Sequence, residues 1–126
     1  MTRRLLLVSL ALLLAAPATA AAELRMFRSP TGKIGCAFFR DTGIPPEVRC
    51  DWRGGGDRAV RVGLHGKAKR IKVTDTVLDP DARVLAYGNT KRFHGLRCTS
   101  RRSGMTCRST KSGHGFKVSV EKRRLF

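Results

Sequence analysis

Two cysteines on either side of a turn constrain the fold of this chain more than any other feature. Cys98 lies within the run of residues 93–100, Cys107 lies within residues 104–108, and residues 101–104 have the composition of a tight turn. The two runs predict the strands of one β-hairpin in which the cysteines face each other. A disulfide between them would crosslink the hairpin and fix the register of its strands.

Further runs of alternating apolar and polar side chains predict more strands joined by turns. The prolines at residues 41–46 predict a loop that stays out of any central strand. No sustained 3.6-residue apolar pattern follows residue 20, although residues 78–85 have room for one helical turn. The predicted fold class is all-β, a small disulfide-stapled antiparallel β-sandwich or open barrel built of hairpins. Its other strands are predicted at residues 24–27, 34–40, 48–52, 60–64, 71–73, 84–88 and 115–120.

The first twenty residues have the organisation of a secretory signal peptide. A basic segment at residues 1–4 precedes an apolar run at residues 5–16, and small residues end the segment. Cleavage is predicted after Ala20 or Ala22, which leaves a single β-rich domain at residues 21–126. The apolar run is shorter than the about 20 residues that a membrane-spanning helix needs. The sequence therefore predicts export, to the periplasm or to the outside of the cell.

An even number of cysteines in an exported chain predicts disulfides. Three pairings are open, and the pairing within each hairpin is favoured because each pair of cysteines flanks its own turn. In the first hairpin this register also sets Phe38 opposite Val48. A zinc site is disfavoured because its cysteines are usually two to four residues apart, whereas thirteen and eight residues separate these. The favoured disulfides are Cys36–Cys50 and Cys98–Cys107.

Several short motifs occur along the chain in a fixed order. They are Phe-x-Ser-Pro-x-Gly-x-Ile-Gly-Cys at residues 27–36, Val-Arg-Cys-Asp at 48–51, Leu-Ala-Tyr-Gly at 85–88, Cys-Thr-Ser at 98–100, Gly-Met-Thr-Cys at 104–107, Gly-His-Gly-Phe at 113–116 and Arg-Leu-Phe at 124–126. In this combination the chain resembles a family of small exported bacterial proteins, domain of unknown function 6636. The resemblance implies export and a compact disulfide-bonded fold, and it implies no activity.

The chain departs from that family pattern in its middle part. Many relatives have one further pair of cysteines there, whereas this chain has no cysteine between Cys50 and Cys98. Residues near Ala59 and Val73 stand where that bridge would be. The central hairpin is therefore expected to depend on packing alone.

Positive charge is the strongest functional signal in the sequence. Without the predicted signal peptide the chain has 24 Lys and Arg against 9 Asp and Glu, a net charge of +15. Residues 91–126 hold eleven of these cations and one acid, Glu121, a net charge of +10. Such a field attracts polyanions, and the attraction weakens as salt rises. The predicted partners are anionic polymers or lipid headgroups, and the predicted anion-binding residues are Arg97, Arg101, Arg102, Arg108, Lys111 and Lys117.

Histidines carry the alternative hypothesis, a small secreted hydrolase of the nuclease type. Its candidate catalytic residues are His94 and His114, because imidazoles titrate near neutral pH. Acid–base hydrolysis of a phosphodiester needs two imidazoles at one phosphate, and nothing in the spacing brings these two together. His65 and His114 lie beside glycines in predicted turns, where a hydrogen bond within the loop is the simpler role.

Other catalytic motifs do not occur in the sequence. There is no Gly-x-Ser-x-Gly for a serine nucleophile, and Asp75, Asp79 and Asp81 lack the spacing of a calcium loop. The sequence predicts no metal site and no cofactor. It favours a non-enzymatic exported β-domain that binds an anionic envelope or extracellular component through its basic C-terminal meander. The loop at residues 41–46 is a further candidate, for contact with a protein partner.

Overall fold

Eleven β-strands occur in residues 8–15 and 21–126, which the computed structural model describes. Residues 1–7 and 16–20 lie outside the description, and with them most of the predicted signal peptide. No helix in the described residues is long and apolar enough to cross a membrane. In chain order the strands are β1 (Glu23–Arg28), β2 (Ile34–Asp41), β3 (Ile44–Trp52), β4 (Arg58–Gly63), β5 (Lys69–Lys72), β6 (Arg83–Val84), β7 (Thr90–Phe93), β8 (Leu96–Arg101), β9 (Gly104–Ser109), β10 (Gly115–Val118) and β11 (Arg123–Leu125).

The strands form two sheets that stack on each other. The first sheet has the order β5-β4-β3-β2-β1-β6, and the second has the order β11-β10-β9-β8-β7. Neighbouring strands are antiparallel except β1 and β6, which are parallel. Strands β9 and β10 lie over β4, and β8 lies over β3. The predicted all-β class is confirmed, and of its two predicted architectures the sandwich is the observed one.

Two disulfides lie at the centre of the sandwich, one in each sheet. Cys36 bonds to Cys50 across β2 and β3, and Cys98 bonds to Cys107 across β8 and β9, in the favoured pairing. All four residues are fully buried. Cys50 Sγ lies 3.8 Å from Cys107 Sγ of the other sheet, and this is a packing contact because neither sulfur carries a hydrogen. The two disulfides indicate an oxidising compartment outside the cytoplasm.

Three phenylalanine rings continue the core beside the disulfides. The ring of Phe38 lies 5.1 Å from that of Phe27 and 5.1 Å from that of Phe93, measured between centroids. Phe38 is directly opposite Val48, which confirms the register predicted for the first hairpin. Because Phe93 belongs to the second sheet, the three rings join the two sheets at this end of the core.

The loop that follows β5 covers part of the outer side of the first sheet. Its backbone comes so close to Gly35 that a Cβ there would lie 2.4 Å from Val77 O and 2.8 Å from Leu78 Cα. The loop is held down by the buried carboxylate of Asp51, whose Oδ2 accepts a hydrogen bond from Val77 N at 3.1 Å. Gly35 of the Ile-Gly-Cys motif is therefore required by this close approach.

The loop predicted at residues 41–46 is wrong, because β2 and β3 continue to a two-residue turn at residues 42–43. Pro45 and Pro46 both lie within β3. Strand β4 pairs with β3 only from Glu47 onwards, so no strand lies on that side of the two prolines. On the other side the register between β2 and β3 shifts between Phe39 and Asp41, and at such an irregularity a residue without an N–H is tolerated.

The single strand predicted at residues 93–100 is also wrong, because a turn divides it into β7 and β8. His94 has a φ of 45° and Gly95 has a φ of 91°. Positive φ at both central residues is the geometry of a type I′ turn, whose twist matches that of the two flanking strands. His94 is therefore a turn residue and not a strand residue.

The remaining differences concern short strands. The strand predicted at residues 84–88 is reduced to the two residues of β6, which pair in parallel with β1. Residues 78–85 contain a turn and no helix. Strands β7 and β11 are absent from the prediction because their residues, Thr-Lys-Arg-Phe and Arg-Arg-Leu, lack the apolar alternation that marks a strand.

We expect Gly35→Ala to destabilise the fold by about 1–3 kcal/mol, the usual cost of forcing extra atoms into a packed site. The added methyl group meets backbone atoms of the loop, which must lift and lose the hydrogen bond from Val77 N to Asp51. Urea unfolding measures the change. Gly43→Ala is not a suitable control because its φ is 75°, so the comparison is Gly63→Ala, whose added Cβ would meet only Pro46 O at 3.7 Å.

Removing either disulfide should lower the free energy of unfolding by about 2–3 kcal/mol, because the unfolded chain regains the entropy of an open loop. The two variants are Cys36→Ala with Cys50→Ala, and Cys98→Ala with Cys107→Ala. Urea unfolding of each is compared with that of the oxidised wild type. An unfolding midpoint of the wild type that does not move in excess dithiothreitol would contradict the stabilising role of the bridges.

Candidate anion-binding face

The outer side of the second sheet presents cations and threonines. In β8 the side chains of Leu96, Cys98 and Ser100 point into the core, so alternation turns Arg97, Thr99 and Arg101 outward. The strand pairing extends this outward set to the four neighbouring strands. We call this surface the cationic face, and its residues are Thr90, Arg92, Arg97, Thr99, Arg101, Thr106, Arg108, Lys117 and Arg124.

The side chains of the cationic face form two rows that run across the strands. In one row Arg92 is directly opposite Arg97, and Arg97 is directly opposite Arg108. Like charges at directly opposed positions destabilise a sheet. Neighbouring strands are about 4.8 Å apart, so the row sets three guanidinium groups side by side across β7, β8 and β9.

The second row contains threonines at one end and cations at the other. Thr90, Thr99 and Thr106 occupy opposed positions on β7, β8 and β9, and the row continues through Lys117 on β10 to Arg124 on β11. Thr90 Oγ1 and Thr99 Oγ1 are 2.8 Å apart and share a hydrogen bond. The row therefore supplies hydroxyl groups next to the guanidinium row and a second like-charged pair at its other end.

No carboxylate lies on the cationic face within the part of the chain that the structure describes. Arg97, Arg101 and Arg108 form neither an ion pair nor a side-chain hydrogen bond there. Arg108 Nε is buried without any hydrogen-bond partner, which is costly for a charged donor. The guanidinium groups of this surface are thus left with unused donors.

An open depression of about 280 Å³ marks the middle of the cationic face. Its walls belong to β8, β9 and β10, so it lies across three strands and not along one. Lys117 Nζ at its border donates a hydrogen bond to Ser103 Oγ at 2.8 Å. The depression is lined by Arg97, Thr99, Arg101, Thr106, Arg108 and Lys117.

The first sheet differs in that several of its arginines form ion pairs with acids. Arg49 donates to both oxygens of Asp51, at 2.9 Å each, and to Asp75 Oδ1 at 2.7 Å. Partial burial opposes the charge of Arg49, but the hydrogen bonds to Asp51 and Asp75 outweigh it and raise the pKa of this guanidinium. The hydrogen bond from Arg49 in turn lowers the pKa of Asp75 below its ordinary value.

The other ion pairs of the described residues also use carboxylates of the first sheet. Arg61 lies 3.9 Å from Glu47, and Glu23 lies close to Arg40 and Arg25. Four arginines of the first sheet, Arg25, Arg40, Arg49 and Arg61, are therefore paired with acids, whereas no cation on the outer side of the second sheet is paired in the described residues.

Four of the six predicted anion-binding residues lie together on the cationic face: Arg97, Arg101, Arg108 and Lys117. The other two lie at opposite ends of the second sheet. Arg102 is in the β8–β9 turn with its guanidinium 4.9 Å above the ring centre of Tyr87, and Lys111 is in the β9–β10 turn, close to Gly95.

Sequence reasoning missed two cations of this surface, Arg92 and Arg124, and its three threonines, Thr90, Thr99 and Thr106. The outward positions of the two cations depend on the register of β7 and β11, the two strands that the alternation pattern does not reveal. The available signal was the His94-Gly95 turn, because a two-residue turn there requires a strand before it as well as after it.

The structure gives His94 a contact away from His114. His94 Nε2 lies 3.1 Å from Glu23 Oε1, and its ring stacks edge-on against Phe93 at 4.7 Å. The carboxylate accepts, so Nε2 is the donor. The backbone N–H of His114 donates to Ser112 Oγ within its own loop. No hydrogen bond in residues 21–126 joins the two imidazoles.

Three sulfur atoms in the core have the spacing of metal ligands. Those of Cys36, Cys50 and Cys107 all lie within 4.8 Å of one another. Each sulfur belongs to a disulfide, however, and a metal binds the thiolate form. This cluster is therefore part of the core and not a metal site.

Comparison with known proteins identifies a family. A family model described as a family of unknown function, DUF6636, matches residues 44–126. No curated protein and no solved structure matches the chain. The matched segment contains all of the second sheet, and so every residue of the cationic face.

Glu23→Gln should lower the melting temperature near neutral pH and have no effect in strong acid. Hydrogen bonds from Arg40 and His94 hold the pKa of Glu23 below its ordinary value of 4.5. A carboxyl group with a lowered pKa in the folded state adds stability above its unfolded pKa, and this is lost as pH falls through the folded value. The difference between wild type and variant should therefore disappear between about pH 5 and pH 3.

Thermal melts of both proteins at several pH values measure that difference. Asp41→Asn is the matched control, because Asp41 forms no ion pair in the described residues and its carboxylate accepts a hydrogen bond from the N–H of the adjacent Thr42. A difference for Glu23→Gln that persists unchanged below pH 3 would contradict the assignment.

Proposed function

We propose that this chain, which belongs to DUF6636, a family of unknown function, is an exported, non-enzymatic β-domain. Its ligand is a linear anionic polymer, which it binds through the cationic face. The observation that carries this proposal is the guanidinium row of Arg92, Arg97 and Arg108, which has no acid beside it among the residues that the structure describes. The family supplies no activity, so the proposal rests on the geometry and charge of the site.

The arrangement of charge supports a ligand that is itself multiply charged. Each like-charged pair across the strands costs stability unless a counter-charge is present. The acids of the chain occur on the other sheet and in loops, so they do not neutralise these like-charged pairs. A polymer that lies across the strands would place one anionic group near each of several cations and release their counterions.

The residue types support phosphate or sulfate groups as the anions. Five of the six cations of the cationic face are arginine, whose planar guanidinium donates two parallel hydrogen bonds to such groups. The threonine hydroxyls of the adjacent row can donate to the same oxygens. No histidine or carboxylate lies among them in the described residues, and this favours binding over acid–base hydrolysis.

The scarcity of large apolar side chains on the cationic face favours a polymer over a bilayer as the ligand. A protein that enters a membrane surface places large apolar side chains beside its basic residues. In residues 21–126 the exposed large apolar residues are Leu24, Ile44, Val84 and Phe126, and only Phe126, whose ring centre lies 5.3 Å from the guanidinium of Arg124, borders the cationic face. We therefore place the ligand in the aqueous phase of the periplasm or outside the cell, the destinations that the predicted signal peptide indicates.

A triple variant tests the proposal. Arg92→Gln, Arg97→Gln and Arg108→Gln together should weaken heparin binding at low salt and reduce the slope of log K against log salt by about 2–3, because three contacts to anions are lost. The matched control is Lys33→Gln, Lys67→Gln and Lys69→Gln, which removes the same charge from exposed residues that lie off the cationic face. The control should keep a slope close to that of the wild type.

Two outcomes would contradict the proposal. One is equal loss of binding in the two triple variants, since net charge alone would then account for the affinity. The other is binding to anionic lipid vesicles that is stronger than binding to heparin and insensitive to the Arg92, Arg97 and Arg108 changes.

A further inference from the structure

We propose that the protein has a second anion site, which binds a small organic phosphate with an apolar portion, in a cleft between the edges of the two sheets. The cleft has a volume of about 300 Å³ and lies where β4 and β5 of the first sheet meet β11 of the second. It is separate from the cationic face and shares no residue with it. We call it the edge cleft, and its lining residues are Trp52, Arg58, Ala59, Arg70, Ile71, Lys72 and Arg123.

Strand pairing brings three of its cations to one side of the first sheet. Arg58 is directly opposite Lys72, and Arg70 is directly opposite Val60. Val60 is fully buried in the core, so Arg70 and Lys72, two residues apart on β5, lie on the core-facing side. Arg70 and Lys72 are both exposed, so the core-facing side of β5 presents cations to the cleft.

Arg123 brings the fourth cation from the second sheet. Its guanidinium lies 4.5 Å from the ring centre of Trp52, and that of Arg58 lies 5.6 Å from the same point. Arg70 Nη2 donates to the carbonyl oxygen of Arg123 at 3.3 Å and so joins β5 to β11 across the cleft. Four cations from three strands thus surround one cavity.

Backbone carbonyls hold these guanidinium groups in place without neutralising them. Arg58 Nε donates to Gly55 O at 3.1 Å, and Arg123 Nη1 donates to Val120 O at 2.9 Å. No acid lines the edge cleft, and none of its four cations forms an ion pair in the residues that the structure describes. The orientation of the donors is fixed before any ligand arrives, which lowers the entropy lost on binding.

The chemistry of the lining indicates the ligand. Four positive charges in one small cavity match a phosphate dianion or a pyrophosphate better than a single carboxylate. Trp52, which lies two residues after the core-facing Cys50 and so on the same side as the cations, offers apolar surface beside the charges, and the volume is at the lower limit of pockets for small molecules. The site therefore fits a phosphate ester that carries a ring or a short apolar chain.

Inward-pointing charges at a sheet edge also deter edge-to-edge association, and β5 is an edge strand. That role requires exposed cations on β5 only. It does not account for Arg58 and Arg123, which are hydrogen-bonded to carbonyl oxygens over a nearly buried tryptophan. The convergence of the two sheets' cations on a cavity is the feature that points to a ligand.

Trp52 makes the edge cleft directly observable, because it is the only tryptophan in the chain. Phenyl phosphate titrated into the mature protein should change its fluorescence in a saturable way. Inorganic phosphate, which lacks the ring, and benzoate, which has the ring but only a carboxylate, should bind at least about tenfold more weakly, since each makes only part of the contacts. A parallel titration with sodium chloride at the same ionic strength corrects the fluorescence change for the effect of charge screening.

Lys72→Gln should weaken phenyl phosphate binding about tenfold, the effect of losing one charge-assisted hydrogen bond. Lys72 is exposed and has no side-chain partner in the described residues, so the change leaves the fold intact. Lys69→Gln, on the same strand but outside the cleft, is the control and should bind as the wild type does. The triple variant of the cationic face should also keep this affinity, which separates the two sites.

Several results would overturn the proposal. They are a fluorescence change that does not saturate or that sodium chloride reproduces, equal affinity of Lys69→Gln and Lys72→Gln, and binding of phenyl phosphate no tighter than that of inorganic phosphate. A loss of phenyl phosphate binding in the cationic-face variant would assign the ligand to the other site.

Discussion

The contact between the two disulfides at the centre of the sandwich is the constraint on which the rest of the structure depends. Cys50 and Cys107 bring the sheets together through sulfur atoms 3.8 Å apart. Each disulfide joins directly opposed residues of one sheet, so it fixes the register of the neighbouring pairs as well. In the second sheet those neighbours include Arg97 opposite Arg108. The covalent bond thus holds two like charges in adjacent strands that electrostatic repulsion would otherwise push apart.

The division of charge between the two sheets follows from the same architecture. The first sheet carries a covering loop and most of the acids, and its buried Asp51 both neutralises Arg49 and anchors the loop through Val77 N. In the described residues the second sheet has neither a covering loop nor acids on its outer side. Its stability therefore depends on the buried residues beneath, and its outer side is available for a ligand. The edge cleft differs from both of these surfaces, because the edges of the two sheets contribute cations to it.

Local patterns in the sequence were sufficient to predict the all-β class, both disulfides and the opposition of Phe38 and Val48. They succeeded because a tight hairpin with a cysteine in each strand determines its own register. Four of the cations of the cationic face were predicted for the same reason, since they lie on strands beside Cys98 and Cys107. Arg92 and Arg124 were missed because β7 and β11 are edge strands of the second sheet that owe their pairing to their neighbours and not to their own alternation.

The edge cleft could not be predicted from the sequence, because it combines residues of β3, β4, β5 and β11 that meet only when the sheets stack. The loop at residues 41–46 was mispredicted for a related reason. Whether a proline is acceptable in a strand depends on whether another strand lies beside it at that residue, and a single strand's sequence does not contain that information.

Both disulfides close within a hairpin, at sequence separations of 14 and 9 residues. Short loops close rapidly and at small entropic cost. An oxidant therefore meets each cysteine with its native partner as the nearest cysteine along the chain. Once either bond has formed within its hairpin, the two remaining thiols can pair only with each other, so the first closure alone excludes both mispaired isomers.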